Sequence, residues 1–426
     1  MRCGVKSMST KTDKFEEVPE IQTPRDCSSL SAYFHIVCVV AGTGTLGLPY
    51  AMAQGGWISV VFFFVAAAMS TYTAKLLIEC LYYKPGERLV EFPDIGEAAF
   101  GLPGRYFTKV FHSSVSLSCG CIYILLTGKN TSTVLDDFNI NPMNKTLWIL
   151  LAGVVITLAF TLLKTMKEVA FLSAFGTIAT LVCVVIVVVV GGMEYPQNGL
   201  PVNRVFFNLA DFPMAVATIA FSYGGNVVYP HVEATMRNPQ AWNKTVLLAV
   251  LSITAMYVSI ACAGYFYYGA GTKSPIMDSL PRKDVLTYIA YVFITLHVAF
   301  AAPVYLCSFC LEQERWLKID RAFMSAPQEF AYRFALRGSL GAILTLIAMY
   351  VPYFSSLCGI FGAVSNCIVV FLVPVSCHYK LFGYQKRAIW EHIICVLIIG
   401  AGLFGLGFGG HSAFKELLEN ITEDTN

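Results

Sequence analysis

Long runs of apolar residues alternate with short polar stretches along almost the whole chain. A helix that crosses a lipid bilayer needs about 20 mostly apolar residues. The runs that meet this requirement are 31–53, 57–82, 106–127, 146–163, 168–191, 209–231, 244–268, 285–311, 334–351, 354–379 and 389–410. The pattern therefore predicts an all-α integral membrane protein with eleven transmembrane helices.

The first and sixth runs are interrupted near their centres, at 41–49 and 221–230, by glycine-rich stretches that end in proline. Backbone groups left unpaired inside a bilayer are tolerated only where they line a cavity or bind a ligand. Two such breaks at matching places in two halves of a chain indicate a transporter's substrate site. The predicted substrate-binding residues are Gly42, Thr43, Gly44, Thr45, Leu46, Gly47, Phe221, Ser222, Tyr223, Gly224, Gly225 and Asn226. The alternative is close helix packing, which small residues also favour.

Matching positions in the two halves are five helices apart. Five is an odd number, so the second half must enter the membrane from the opposite side. The sequence therefore predicts a 5+5 inverted repeat, with 31–191 as repeat one and 209–379 as repeat two, together forming a core over 31–379. Residues 1–30 form a polar N-terminal tail, 389–410 an appended eleventh helix, and 411–426 a C-terminal tail.

Lysine and arginine placement predicts the orientation. With the N-terminus in the cytosol, 21 of the 29 basic residues lie on the cytosolic side, 7 lie outside, and Lys75 lies within the second helix. Three glycosylation sequons, at Asn130, Asn144 and Asn420, then fall on the non-cytosolic side, where they can accept a glycan. A fourth, at Asn243, falls inside. Both observations predict a cytosolic N-terminus and a non-cytosolic C-terminus.

The two breaks also predict the chemistry of the ligand. A half-helix that begins at a break offers free N–H groups to a carboxylate, and one that ends there offers carbonyls to an ammonium group or a cation. A zwitterion satisfies both, and an α-amino acid is the simplest one. No charged pair lies near the second break to bind a charged side chain. The pattern favours small neutral amino acids.

Composition narrows the functional classes. The chain is 56% hydrophobic and only 13% charged, with a net charge of +2, which does not favour nucleic-acid binding. Most of the fourteen cysteines fall in apolar runs, and no metal or cofactor site is expected. No enzyme motif is visible. A transporter is therefore preferred to an enzyme or a channel, while an amino acid sensor without transport activity stays open.

The stretch from Gly42 to Ala51, GTGTLGLPYA, resembles the first helix of the amino acid/auxin permease family. The stretch from Phe221 to Pro230, together with Glu233 and the residues that follow, is similar to that family's sixth helix. The resemblance covers almost the whole chain. It implies a LeuT-type fold with helices 1 and 6 unwound, and secondary active transport of amino acids across a membrane. Many members carry histidine where Asn226 stands, so a role of that histidine is not transferred.

The form of the first motif is similar to the proton-coupled, vacuolar-type branch of the family. Histidine titrates near neutral pH, and ionisable groups inside a membrane are candidates for function. His35 and His297 are therefore candidates for proton coupling, and Glu233 is a candidate for an inner gate. Hydroxyls of Thr295 and Ser308 offer the alternative of sodium coupling. Symport of H⁺ or Na⁺ stays open.

Other histidines near helix ends, His112 among them, are predicted to be solvated. External sequons suit the plasma membrane and a vacuolar or lysosomal membrane equally well, so the sequence does not assign the membrane.

Overall fold

A computed structural model describes residues 25–162, 170–198, 202–282, 284–384 and 388–425. Within these residues the chain forms fifteen α-helices, a few short 3-10 turns and two π-helical segments. Nine of the helical stretches are long and apolar enough to cross a membrane, and one bent helix pair raises the number to ten. The chain is an all-helical integral membrane protein. Residues 1–24 of the predicted N-terminal tail lie outside the described residues.

The first apolar run forms two helices, α1 (Ser29–Val40) and α2 (Gly44–Gly55), which are bent by 50° relative to each other. Ser28 caps α1, because its side chain accepts a hydrogen bond from the backbone N–H of Ser31. The break is shorter than the sequence predicts. The helix resumes at Gly44, and Pro49 lies inside α2, so the glycines and not the proline separate the two helices.

The sixth run forms α7 (Phe212–Ser222) and α8 (Tyr229–Thr235), separated by six non-helical residues. Pro230 lies in the first turn of α8, where a missing N–H costs no helical hydrogen bond. Proline therefore starts the second half-helix, as it starts α7 through Pro213.

The remaining long helices follow the apolar runs with shifted ends. They are α3 (Ser59–Leu81), α4 (Phe92–Asp137), α5 (Lys145–Leu162), α6 (Ala170–Asn198), α9 (Trp242–Tyr268), α10 (Val285–Trp316) and α11 (Ala326–Tyr350). The helix α4 is far longer than the run 106–127, because helical hydrogen bonding continues into polar residues at both ends. It is interrupted at Gly101, whose φ of 69° is non-helical, so the first turns form a separate piece.

The tenth run forms α12 (Phe354–Phe361), a π-helical segment (Gly362–Leu372) and α13 (Val373–Phe382). The eleventh forms α14 (Ile389–Phe404), a short π-helical segment (Gly405–Gly409) and α15 (Gly410–Thr425). Much of the predicted C-terminal tail is thus helical. It packs on α12, where Ser355 and Ser356 donate hydrogen bonds to Glu416 Oε1 at 2.6 and 3.2 Å.

The two broken helix pairs lie at the centre of the bundle. The helix α2 packs against α7 and α9, and α1 packs against α6 and α9, so both breaks are enclosed by long helices. Apolar side chains at the periphery are exposed, as Val396 and Leu397 on α14 illustrate. Those side chains face lipid in a membrane, whereas the interrupted backbone is shielded inside protein, as a bilayer requires.

Candidate functional site

A small cavity lies between the two breaks. The two breaks line it together with neighbouring residues of α1, α2, α4, α7, α10 and the π-helical segment of the tenth run. The lining residues are Val39, Val40, Thr43, Gly44, Cys119, Tyr123, Phe221, Gly224, Tyr305 and Asn366. The volume open to the centre of a water-sized sphere is about 10 Å³. That is close to the minimum that holds one water molecule, so the cavity has no room for a larger ligand in this conformation.

Four of the predicted binding residues line this cavity: Thr43, Gly44, Phe221 and Gly224. The others belong to the same two breaks but lie behind the lining. They are Gly42, Thr45, Leu46, Gly47, Ser222, Tyr223, Gly225 and Asn226. The substrate-binding assignment stays a prediction; the structure shows which of these residues line the cavity between the breaks.

The two breaks approach each other at backbone distance. A Cβ atom added to Gly44 would lie 2.7 Å from the Cα of Ser222, closer than real Cβ atoms come to other heavy atoms. The neighbouring side chain cannot relieve this contact, because the opposing atom belongs to the backbone. Glycine at position 44 is therefore required by the close approach of α2 to the end of α7.

Hydroxyl groups satisfy the carbonyls at the end of α1. Tyr305 donates to the Val39 carbonyl at 2.9 Å, and Thr180 donates to the Ala41 carbonyl at 3.0 Å. These carbonyls have no intrahelical partner because the helix ends there. The carbonyls that the sequence assigned to a cation therefore already accept hydrogen bonds from neighbouring helices.

Tyr257 on α9 connects the two breaks. Its hydroxyl lies 2.7 Å from the Val40 carbonyl and 2.6 Å from the Ser222 carbonyl, and the side chain is fully buried. One hydroxyl has one hydrogen, so it donates to one of these carbonyls at a time. Tyr257 thus bridges the end of α1 and the end of α7. Sequence reasoning missed it, because a tyrosine within an apolar run gives no signal of its own.

Hydrogen bonds between the second break and other helices hold the break in place. Asn226 donates through Nδ2 to the Val370 carbonyl at 3.2 Å, and Asn366 donates to the Phe221 carbonyl at 3.1 Å. His112 is buried and lies 3.2 Å from the Val227 carbonyl through Nε2. The prediction that His112 is solvated is wrong, because α4 continues past it and packs that face inward.

His297 lies on α10 beside the first break and is 1% exposed. A Cβ added to Gly42 would lie 3.7 Å from its Nε2, and one added to Gly176 would lie 2.8 Å from its Cε1. Among the described residues neither ring nitrogen has a partner with hydrogen-bond geometry. His35 differs, because its Nδ1 shares a hydrogen bond of 2.7 Å with the hydroxyl of Ser173 on α6.

Glu233 on α8 is fully buried in an ion-pair network. Its Oε2 accepts from Arg88 at 2.8–2.9 Å and its Oε1 accepts from the Tyr82 hydroxyl at 2.5 Å. Burial, reinforced by the hydrogen bond to this carboxylate, raises the pKa of Tyr82, so the hydroxyl keeps its proton at neutral pH. The sequence did not indicate Arg88 as the partner of Glu233, because the two are 145 residues apart.

The N-terminal segment closes over the same end of α8. Cys27 donates its backbone N–H to the Thr235 carbonyl at 2.9 Å and accepts from the Arg237 N–H at 2.8 Å. Two backbone hydrogen bonds and one buried ion pair therefore fix α8 at this surface of the bundle.

The glycosylation candidates differ in accessibility. Asn130 is 1% exposed within α4 and donates through Nδ2 to the Thr295 hydroxyl at 3.1 Å, which contradicts the prediction that it carries a glycan. Asn144 is exposed just before α5. Asn420 is half-buried and donates to the Ser356 hydroxyl at 3.1 Å. The sequon pattern alone could not separate them, because burial depends on the neighbouring helices.

A bundle of long apolar helices that encloses two interrupted helices around a small cavity is the architecture of a secondary transporter. The model of the family described as transmembrane amino acid transporter protein matches residues 25–412, and the chain belongs to that family. This result confirms the resemblance seen in the sequence and identifies a transporter family, not an enzyme family.

The chain is similar to named members of several lineages. It is 26% identical over 416 residues to amino acid transporter AVT1J of Arabidopsis thaliana, covering 96% of each chain. It is 26% identical to AVT1C of the same plant, covering 95% of this chain and 72% of that relative. It is 23% identical to the vesicular inhibitory amino acid transporter of Rattus norvegicus, covering 92% and 76%.

Solved structures share the fold. MhsT in complex with L-phenylalanine matches with a TM-score of 0.60 at 10% identity, covering 92% of this chain and all of that one. A Na⁺-coupled sialic acid symporter matches with a TM-score of 0.58 at 14% identity, covering 92% and 90%. Both are LeuT-type transporters, so this fold class is confirmed for the chain.

Proposed function

We propose that this amino acid transporter moves small neutral amino acids by alternating access, coupled to protons. In this proposal α1 with α2 and α7 with α8 are each one interrupted span, which gives eleven spans and a 5+5 inverted repeat over 31–191 and 209–379. The N-terminus lies in the cytosol, and the C-terminal helix α15 lies on the non-cytosolic side. The observation that carries the proposal is the small cavity between the two breaks, lined by residues of both.

The cavity supports a small and uncharged substrate side chain. No charged side chain lines it among the described residues, and its polar atoms come from backbone, hydroxyl and amide groups. Gly44 and Ser222 leave no room to widen it from the α2 side. Thr43 and Gly44 line the cavity at the start of α2. Their backbone N–H groups are the proposed binding site for the substrate carboxylate.

Two observations favour protons over sodium. The carbonyls of Val39 and Ala41 already accept hydroxyl hydrogen bonds, and the Val40 carbonyl shares the Tyr257 hydroxyl with Ser222, which leaves little room for a sodium ion. His297 lies beside the first break and is an ionisable group inside the membrane, so it is the proposed proton carrier. His35 is a second candidate through its bond to Ser173.

The network around Glu233 is the proposed cytosolic gate. Arg88 and Tyr82 come from the end of α3 and the loop after it, and Glu233 comes from α8, so opening this side must separate them. The N-terminal segment at Cys27 must leave at the same time. The buried charge pair makes this closure a two-state contact that substrate and proton can bias.

The proposal fits the plasma membrane and a vacuolar or lysosomal membrane. One of the named relatives is described as vesicular, which favours an organelle with an acidic lumen. In such a membrane the lumenal proton gradient would drive the exchange or export of substrate.

Uptake of labelled glycine, L-alanine and L-serine into proteoliposomes tests the function under an imposed pH gradient or an imposed sodium gradient. Accumulation driven by protons alone is expected. His297→Gln should weaken the pH dependence more than substrate affinity, and His411→Gln, at an exposed position, is the matched control. A strict sodium requirement would replace proton coupling, and substrate binding without flux would favour the sensor.

A further inference from the structure

The π-helical segment of the tenth run (Gly362–Leu372) forms a wall of the cavity that the sequence did not assign to the site. It lies directly against α7, since a Cβ added to Gly362 would be 2.7 Å from the Cβ of Phe221. π-Helical turns are rare in proteins overall, and those that occur are often at functional sites. The contact fixes this segment closely against the end of α7.

Asn366 is the polar side chain that this segment contributes to the cavity lining. It is 2% exposed, and its Nδ2 donates to the Phe221 carbonyl at 3.1 Å. A carbonyl can only accept, so the amide must present its NH₂ group to Phe221. The Oδ1 atom is then left without a hydrogen-bond partner among the described residues.

A buried acceptor without a donor is unfavourable, and native structures retain such groups where a ligand completes them. The Val39 and Ala41 carbonyls at the end of α1 already accept hydroxyls from Tyr305 and Thr180, and the Tyr257 hydroxyl serves Val40 and Ser222 in turn. The Asn366 oxygen is therefore an acceptor at the cavity that is still available to a donor. A neutral acceptor can bind an ammonium group without burying a second charge.

We infer that Asn366 is a specificity-determining residue whose Oδ1 accepts a hydrogen bond from the ammonium group of the substrate. Its Nδ2 meanwhile keeps the Phe221 carbonyl satisfied at the end of α7, so substrate binding and the position of the second break are coupled through one side chain. The inference rests on the proposed amino acid transport and adds the π-helical segment to the two breaks that form its substrate site.

Two substitutions separate the acceptor from the clamp. Asn366→Asp keeps an acceptor and loses the donor to Phe221, whereas Asn366→Leu loses both at similar size. Asn226→Leu is the matched control. Asn226 also donates to a backbone carbonyl between the second break and the π-helical segment, that of Val370, but it does not line the cavity. The measured quantities are KM and the maximal rate of glycine and L-alanine uptake in proteoliposomes, with thermal unfolding to check folding.

We expect Asn366→Leu to raise KM about tenfold or more, because the ammonium group loses its acceptor. Asn366→Asp should keep KM within about threefold, because its carboxyl keeps an acceptor oxygen whether or not it is protonated. Asn226→Leu should lower the maximal rate with a smaller change in KM.

Equal rises in KM for the Asp and Leu variants would show a clamp alone and overturn the inference. An unchanged KM in Asn366→Leu would do the same. If Asn366→Leu does not fold, the KM of the Asp variant decides, and a rise of about tenfold or more despite its remaining acceptor overturns the inference. A wild-type protein that takes up no amino acid would instead contradict the proposed function itself.

Discussion

Removal of Arg88 should open the cytosolic side of the protein. In Arg88→Met the fully buried Glu233 carboxylate keeps, among the described residues, only the Tyr82 hydroxyl as a partner. Breaking a buried ion pair from one side costs about 3–5 kcal/mol. Arg88 itself is 16% exposed, so the lower end, about 3 kcal/mol, is expected. This corresponds to a shift of roughly 100-fold or more towards states in which the gate is open, since 1.4 kcal/mol is about tenfold.

Hydrogen exchange of the backbone amides of Cys27 and Arg237 measures this opening. Both amides are protected by hydrogen bonds that exist only when the N-terminal segment is closed on α8. Their exchange rates should rise by roughly the same 100-fold factor, because exchange follows the population of the open state. Substrate uptake should fall, since the cycle requires a closed cytosolic side.

The double variant Arg88→Met with Glu233→Gln is the critical comparison. It leaves no buried unpaired charge, so protection should recover most of the way towards wild type. Arg282→Met is the control, because the Arg282–Asp137 pair is partly exposed and contributes about 0–1 kcal/mol. Exchange that is unchanged in Arg88→Met, or a double variant that is no better protected, would refute the gate.

Three further outcomes are expected. Gly44→Val should abolish substrate binding while the protein still inserts into the membrane, because the new side chain would clash with the backbone of α7. Gly338→Ala, which has open space around its Cβ, should bind substrate normally. Normal binding by Gly44→Val would contradict the site. Tyr257→Phe should cost about 1–3 kcal/mol in thermal stability and slow uptake, because a buried carbonyl loses its donor; wild-type behaviour would show that the bridge is dispensable. Asn144→Gln should remove one glycan in a gel-shift assay and Asn130→Gln none, and the reverse would contradict the burial argument.

Local properties of the sequence were sufficient for the course of the chain through the membrane. The second run was predicted over 57–82, and α3 covers Ser59–Leu81. Both breaks fall within the predicted glycine-rich stretches, but the first is shorter than predicted, because α2 continues through Gly47 and Pro49. The helix ends were less certain, as α4 shows, because helical hydrogen bonds continue into polar residues where hydrophobicity stops.

The contacts that build the site were not predictable in the same way. Arg88 and Glu233 are separated by 145 residues in sequence, Tyr257 bridges two breaks from a third helix, and Asn366 reaches the cavity from a fourth. Each is one ordinary residue within its own segment, and its partner is set by helix packing.

The sequence by itself determined the membrane class, the positions of the two breaks and the zwitterionic chemistry of the proposed ligand, because run length and glycine and proline content are local. Tertiary structure alone decided which residues line the cavity, which carbonyls are already satisfied, and why Asn130 is inaccessible. Those outcomes depend on how side chains from distant helices fill and hydrogen-bond around one shared centre, which no segment encodes alone.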